Sequence, residues 1–332
     1  MGFFSIIKEA CRISYTWKKI FSCIAIVVLL PLAALYLNEI QIINFIETNQ
    51  NSENARRVAL GITEFIYALL LIFFTLYSTS IVVYTVACFY TSQDITFKNV
   101  SNAFSKVWGR LIVTSLWYIL MMVIYFGVAI GLLVLIESTM KGVGLSKLYV
   151  AIFLAVIYFV GLVYITIIYN TATVVSILEN DYGRKAFRRS MKLIKGKTWV
   201  SFFIYLVLDF ALAGIIIVYA LMVYGTRLSV GTKVAIDVYG NKLSLVGKVF
   251  VGIGCYLLMA MVLHFYFVIQ AVIYFKCKSH HNENISDVAR HLEDSYVQLV
   301  KVENGAVERA SICKSEAASS DRSSNVLIVF EL

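Results

Sequence analysis

The sequence predicts an all-α, polytopic membrane protein whose six transmembrane helices form three hairpin units, each introduced by an amphipathic cytosolic lead-in helix. Three observations carry that expectation. Of 332 residues, 60% are hydrophobic and only 15% are charged, with a mean hydropathy of +0.81, far from the balance of a soluble domain. Six apolar runs approach or exceed the roughly 20 residues that a helix needs to cross a bilayer. Trp17, Trp108 and Trp199 are spaced by 91 residues and then by 91 again, each where a basic stretch meets an apolar run. That position suits an interfacial indole, and the spacing suits a module used three times.

The runs lie near Ile20 to Leu37, Ala59 to Tyr90, Leu111 to Ile136, Leu148 to Leu178, Val200 to Tyr224 and Leu245 to Phe275. The second, fourth and sixth are long enough to tilt or to continue past the bilayer. Pro31, the chain's one proline, is the residue able to kink a span. The units cover about 1–90, 91–178 and 179–275, making a membrane domain of 1–275. A juxtamembrane segment, 276–301, holds an amphipathic helix, and 302–332, rich in Ser, Ala and charge, is expected to be disordered.

Each unit opens on an oily stripe at helical spacing. Phe3, Ile6, Ile7, Ala10, Ile13, Trp17 and Ile20 form the first, and Phe97, Val100, Phe104, Val107, Trp108 and Leu111 the second. In the third, Phe187, Met191 and Ile194 oppose Arg184, Lys185, Arg188, Arg189, Lys192 and Lys195. Such helices either lie flat among the headgroups or pack as elbows beneath the bundle.

Lysine and arginine fix the orientation. The four segments at one face of the predicted topology hold 16 of them and the three at the other face hold 8, so the positive-inside rule places both termini in the cytosol. The formal charge of +9 divides into +11 over 1–275 and −2 beyond. Cations that flank apolar spans point to anionic lipid headgroups of the cytosolic leaflet rather than to nucleic acid. Seven cations in 179–198 make that loop the candidate headgroup site, through Arg184, Lys185, Arg188, Arg189, Lys192 and Lys195. Glu179 and Asp181 suit the start of its helix, and Gly196 its end.

No cleavable signal peptide or myristoylation motif opens the chain, and no retrieval signal closes it. The first span is read as its own signal anchor. The six cysteines imply no disulfide framework. Cys277, between Lys276 and Lys278, is either a free thiol or a palmitoylation site. His280, His281 and His291 lack the accompanying ligands of a metal site, and no cofactor is expected. In the tail, Ile285, Val288, Leu292, Tyr296 and Leu299 can share a helix face that docks on the membrane or on partner proteins.

The run ENDYGRKAFRRSMKLIKGKTW carries Glu179, Gly183, Ala186, Arg189, Ser190, Leu193, Lys195, Gly196 and Trp199. In these residues it resembles a loop of the membrane domain found beside glycerophosphodiester phosphodiesterases. Residues 1 to about 300 also resemble a plant family of six-span proteins of unknown function. The resemblance implies a shared helical membrane fold and, through the plant family, a place in an endomembrane or the plasma membrane. The phosphodiesterase barrel has no room in this chain, so that activity is not implied.

Polar residues inside the spans are the remaining signal. Asp209 lies near the predicted bilayer centre, where a charge costs about 2.5 to 3.5 kcal/mol, and so calls for a partner or a proton. His264, in the sixth span, is the expected partner. Glu64 lies near the outer end of the second span, and Asn170 and Gln270 near the inner ends of the fourth and sixth. They form either a polar track or isolated groups bonded to serine, tyrosine or backbone. Gly127 and Gly131 make a GxxxG pattern read as helix packing. Residues 226–244 are either a β-hairpin about Gly240-Asn241 or a plain loop.

No nucleophile elbow, P-loop or zinc motif appears, so no enzyme is predicted. Two functions follow. The first is a non-enzymatic protein that organises lipids or partner proteins through its basic lead-ins. The second is a small-solute or ion/proton transporter that uses Asp209, His264 and Glu64.

Overall fold

Apart from one short paired segment, every described element of the computed structural model is helical. It describes residues 3–49, 52–91, 97–139, 145–179, 181–224, 228–229, 235–236, 245–281 and 283. The tail helix near 285–300, His291, the segment 302–332 and the Gly240-Asn241 turn lie outside the described residues. Leu228 pairs with Ile236 and Ser229 with Ala235, antiparallel, upstream of that predicted turn.

Helix α1 is Phe3–Thr16, α2 Lys18–Ile24, α3 Leu30–Asn49, α4 Glu53–Thr91, α5 Phe97–Thr139, α6 Leu145–Leu178, α7 Arg184–Ile194, α8 Thr198–Tyr219 and α9 Leu245–His280. Six stretches are long and apolar enough to cross a membrane: Lys18–Ile43, Glu53–Thr91, Val107–Leu135, Ile152–Leu178, Thr198–Met222 and Val246–His280. The protein is an integral, multi-pass membrane protein. Helices answer the bilayer's demand that every backbone polar group be satisfied within the chain. The first crossing meets that demand around Pro31, which has no N–H and whose ring crowds the carbonyl four residues back. A π-turn, Ala25–Leu29, widens the helix immediately before it, with the Leu30 N–H reaching back to the Ala25 carbonyl.

Helices α4, α6 and α9 pack against one another at the centre. Residues Ser78–Cys88, Asn170–Leu178 and Phe267–Phe275 are buried without interruption, so these lengths are covered on every side rather than along one stripe. Thr171 Oγ1 is buried without a partner among the described residues, but other hydroxyls here are satisfied locally. Ser78, Thr79, Thr85, Thr173 and Ser176 each bond the carbonyl four residues before. Around this centre, α3 packs on α4 and α9, α5 on α4 and α6, and α8 on α6 and α9, while α1 covers α9 and α7 covers α6. Toward the other end, α4, α5, α6, α8 and α9 expose Ile62, Leu133, Phe153, Phe210 and Phe250, a belt suited to acyl chains.

Residues 97–111 belong to the continuous helix α5 and are not the separate lead-in that the sequence predicts. At the two places where the chain does break, the backbone leaves the helix. Trp17 adopts φ −108° and ψ 35° between α1 and α2, and Gly196 takes φ +95° between α7 and α8. Gly109 takes no such conformation.

The three tryptophans differ in surroundings. Trp17 meets the edge of Phe89, Trp108 packs on Phe73 and Phe104, and Trp199 is exposed beside Phe202 and Phe203. Gly127 and Gly131 have no described atom within 4 Å of an added Cβ, which corrects the expectation of packing there. The close approach of α5 to α6 is made instead at Gly161, under Tyr125, whose ring stacks on Tyr158.

Candidate functional site: a polar cavity inside the helix bundle

Asp209 stands eleven residues into α8, about 16 Å along the helix from Thr198. It opens on a cavity of about 240 Å³ to which all six crossings contribute. Tyr36 comes from α3, Thr75 and Thr79 from α4, and Tyr118 from α5. Thr166, Tyr169, Asn170 and Thr173 come from α6, Leu212 joins Asp209 on α8, and Leu263, Tyr266, Phe267 and Gln270 come from α9. The residues of α4, α6 and α9 recur three or four apart, which puts them on one face of each helix.

The lining is held by its own hydrogen bonds. Asn170 Nδ2 donates to Tyr266 Oη at 2.8 Å, and Gln270 Nε2 donates to the Asn170 carbonyl at 2.7 Å. Tyr169 Oη meets Ser115 Oγ at 3.2 Å, and its ring stacks on Tyr118 with centroids 3.9 Å apart. Among the described residues, no cation and no hydrogen-bond donor meets the Asp209 carboxyl. A carboxyl so placed must hold a proton or find a cationic or donor ligand, because an unpaired charge in a low-dielectric interior is costly. Tyrosine and threonine hydroxyls and two carboxamides stand round it to complete such a ligand's coordination.

The spacing of these residues is that of the tryptophans. Thr75 and Thr166, Thr79 and Asn170, and Tyr118 and Asp209 are each 91 residues apart. That recurrence is the sequence signal by which the lining can be found.

His264 and Glu64 are elsewhere. His264 Nε2 pairs with Ser14 Oγ at 2.9 Å, its ring meets the edge of Phe21, and it lines a different groove with Lys18. Its neighbour Leu263 faces the cavity; one residue along a helix turns the side chain by about 100°, which carries His264 away. Glu64 is exposed on α4, about 16 Å before Thr75. Asn170 and Gln270 thus join Asp209 at the cavity, whereas His264 and Glu64 do not.

A second cluster ties the basic loop to the bundle. Glu179 Oε1 accepts from Lys278 Nζ at 2.8 Å and from Tyr274 Oη at 2.6 Å, and Oε2 from Arg189 Nε at 3.3 Å. Arg189 also pairs with Glu283. Burial alone would raise the Glu179 carboxyl, but the hydrogen bonds from Lys278 and Tyr274, with the charges of Lys278 and Arg189, hold it below its ordinary value. Burial works against the Arg189 charge, and Glu179 and Glu283 outweigh it to raise that group.

Gly183, at φ +56°, donates its N–H to Thr114 Oγ1 at 2.9 Å, and Thr114 bonds Ser176 Oγ at 2.8 Å. Ser190 Oγ donates to the Ile168 carbonyl at 2.9 Å. Ala186, Phe187, Leu193 and Ile194 are buried, while Arg184, Lys185, Arg188, Lys192 and Lys195 are exposed.

Two expectations change here: Glu179 bonds α9 rather than the start of α7, and Arg189 belongs to the ion-pair cluster rather than the open cationic face. Of the two readings of Cys277, its burial, 1% exposed, fits the free thiol. His280 and His281 meet edge to face, and the described residues contain no group of three metal-ligating side chains.

A family model described as a domain of unknown function (DUF8558) matches residues 1–308. No curated protein and no solved structure matches the chain.

Proposed function

The chain belongs to the DUF8558 family, and we propose that this member is a non-enzymatic membrane protein that takes a small cation or polar solute into the Asp209 cavity, as a transporter does. One observation carries the reading. A carboxyl without a partner among the described residues faces a cavity lined by polar side chains from all six crossing helices. Packing has no use for such a group, whereas a ligand does. Asp209 is the charged ligand, Asn170 shapes the site through its bond to Tyr266 and Gln270 through its bond to the Asn170 carbonyl, and Tyr36, Tyr118 and the threonines offer neutral oxygens. In this reading the crossings form three hairpin units with both termini cytosolic, in an endomembrane or the plasma membrane, and their fold is shared with the membrane domain beside glycerophosphodiester phosphodiesterases.

The test is the melting of detergent-purified protein with sodium, potassium, ammonium and methylammonium chlorides. A cation that fits raises the Tm of the wild type by mass action, by about 2.7 kcal/mol of stability at a hundred times its Kd. Asp209→Asn removes that rise. If no cation shifts the wild type, or the variant shifts as far, the cavity is not a cation site; loss of uptake of small neutral solutes by reconstituted Asp209→Asn then tests the solute reading.

A second reading concerns the membrane surface. Arg184, Lys185, Arg188 and Lys192 are exposed on one short helix whose other face is buried, with Lys195 exposed just past its end, and that row favours contact with an anionic leaflet. It supports an amphipathic lead-in that anchors the third unit, and it is compatible with transport.

A further inference from the structure

The groove that receives His264 is separate from the Asp209 cavity and has a different chemistry. It measures about 390 Å³ and lies between the α1–α2 junction and α9, within the roughly 300–1,000 Å³ of ligand pockets. Its polar lining is Ser14, Lys18, Ser22 and His264, and the rest of its wall is apolar, including Phe21, Ala25 and Leu257. Among the described residues, no acidic side chain lines it. Leu257 and Met261, which line it, are exposed, so the groove opens sideways, toward acyl chains rather than water.

Two features prepare its polar end. His264 Nδ1 is buried and has no hydrogen-bond partner among the described residues, while Nε2 meets Ser14 Oγ. A bare lone pair is cheaper to bury than a bare N–H, so the proton sits on Nε2 and is donated to Ser14. The Ser14 hydroxyl is left with its own proton to give. Beside it, Lys18 and Ser22 are four residues apart and share a face of α2.

The concavity itself comes from the π-turn. Ala25 and Leu30, joined by the π-type hydrogen bond, both line the groove, and Tyr256 Oη donates to the Leu30 carbonyl at 2.9 Å, pinning α9 to the widened turn. Single π-turns inside helices recur at functional sites.

We propose that this groove binds one anionic phospholipid from the bilayer. The phosphate takes the Lys18 ammonium and the Ser14 and Ser22 hydroxyls, and an acyl chain lies along Phe21, Ala25 and Leu257. Charge complementarity selects the headgroup, and the lateral opening selects a membrane lipid over a soluble phosphate.

The experiment is native mass spectrometry of the full chain in detergent, titrated with dihexanoyl phosphatidic acid, dihexanoyl phosphatidylcholine and inorganic phosphate. The wild type is expected to bind one phosphatidic acid, in preference to phosphatidylcholine, without competition from millimolar phosphate. Loss of the charge-assisted contacts in Lys18→Gln should weaken binding about tenfold or more, and Ala260→Phe, which fills the groove, should abolish it. Lys19→Gln, at an exposed cation of the same helix that does not line the groove, should leave it unchanged. Equal binding of phosphatidylcholine, full competition by phosphate, or wild-type affinity in Lys18→Gln overturns the proposal. Lys18→Gln alters an exposed side chain, so it stays decisive if Ala260→Phe fails to fold.

Discussion

Lys278 Nζ lies 2.8 Å from Glu179 Oε1, and this pair joins the end of α9 to the end of α6 across 99 residues of chain. The Lys278 side chain is 5% exposed and that of Glu179 16%. Removing one partner of a buried pair strands the other, at a cost of about 3 to 5 kcal/mol. Glu179→Ala should therefore lower the unfolding midpoint strongly. The double variant Glu179→Gln with Lys278→Met should recover much of the loss, because neither charge is then stranded. A single variant within about 1 kcal/mol of the wild type would show the pair to be solvated like a surface ion pair.

The same carboxyl gives a pH dependence of definite sign. Its folded-state value is lowered from an ordinary 4.5, so the folded chain holds fewer protons there than the unfolded chain. The stabilisation is complete above about 4.5 and disappears as pH falls through the lowered folded value. Melting measured from pH 6 to pH 3 should drop more steeply for the wild type than for Glu179→Gln. Parallel profiles would remove the assignment.

The crossings were legible in the sequence because lipid demands long apolar helices, and Asp209 because a carboxyl in such a run is rare. The lining around it was not. Thr75, Thr79 and Thr166 carry no signal of their own, since a helical threonine can satisfy itself on the carbonyl three or four residues before, and only the 91-residue recurrence singles them out. His264 was matched to Asp209 by depth, whereas helical phase, which differs by about 100° between Leu263 and His264, decides which groove a side chain meets. Glu179 carries no local sign that its partners are Tyr274 and Lys278. The loop composition that marked Arg189 as a headgroup ligand does not register Glu179 and Glu283, which occupy it.

Gly183 combines φ +56° and ψ −130° with an N–H given to Thr114. Side chains other than glycine pay about 1 to 3 kcal/mol in such regions, and an added Cβ would lie 3.1 Å from Val113 Cγ1. Gly183→Ala should cost at least the lower figure. Gly196→Ala, whose Cβ would meet His280 only at 3.5 Å, should cost less, since it carries the backbone strain alone. Unfolding of the two variants side by side checks the order.

The exposed cations of α7 and the engaged Arg189 should separate on mutation. Arg184→Glu with Lys185→Glu and Arg188→Glu should cut binding to vesicles containing phosphatidylserine, at about 1 kcal/mol per charge removed near the surface, with little change in Tm. Arg189→Glu should instead lower Tm, because it sets a carboxylate against Glu179 and Glu283. Co-flotation and melting of the same preparations give both readouts. Loss of Tm in the triple variant would place those side chains in the bundle's internal contacts.

Asp209 allows the sharpest distinction between a structural group and a ligand. A structural carboxyl has partners, so its removal destabilises; a carboxyl kept for a ligand is a burden on the unliganded fold. No donor meets the half-buried Asp209 among the described residues, and a polar group left unsatisfied costs at most about 1 to 3 kcal/mol, the figure for full burial. Asp209→Asn should therefore leave ligand-free stability unchanged, and Asp209→Leu should raise it, although both remove cation binding. The same variants at Glu179 should destabilise, because there the partners exist. A fall of more than about 1 kcal/mol on Asp209→Asn, measured without added cations, would mean that the carboxyl is held by the protein itself, and the cavity would then be a packing feature rather than a binding site.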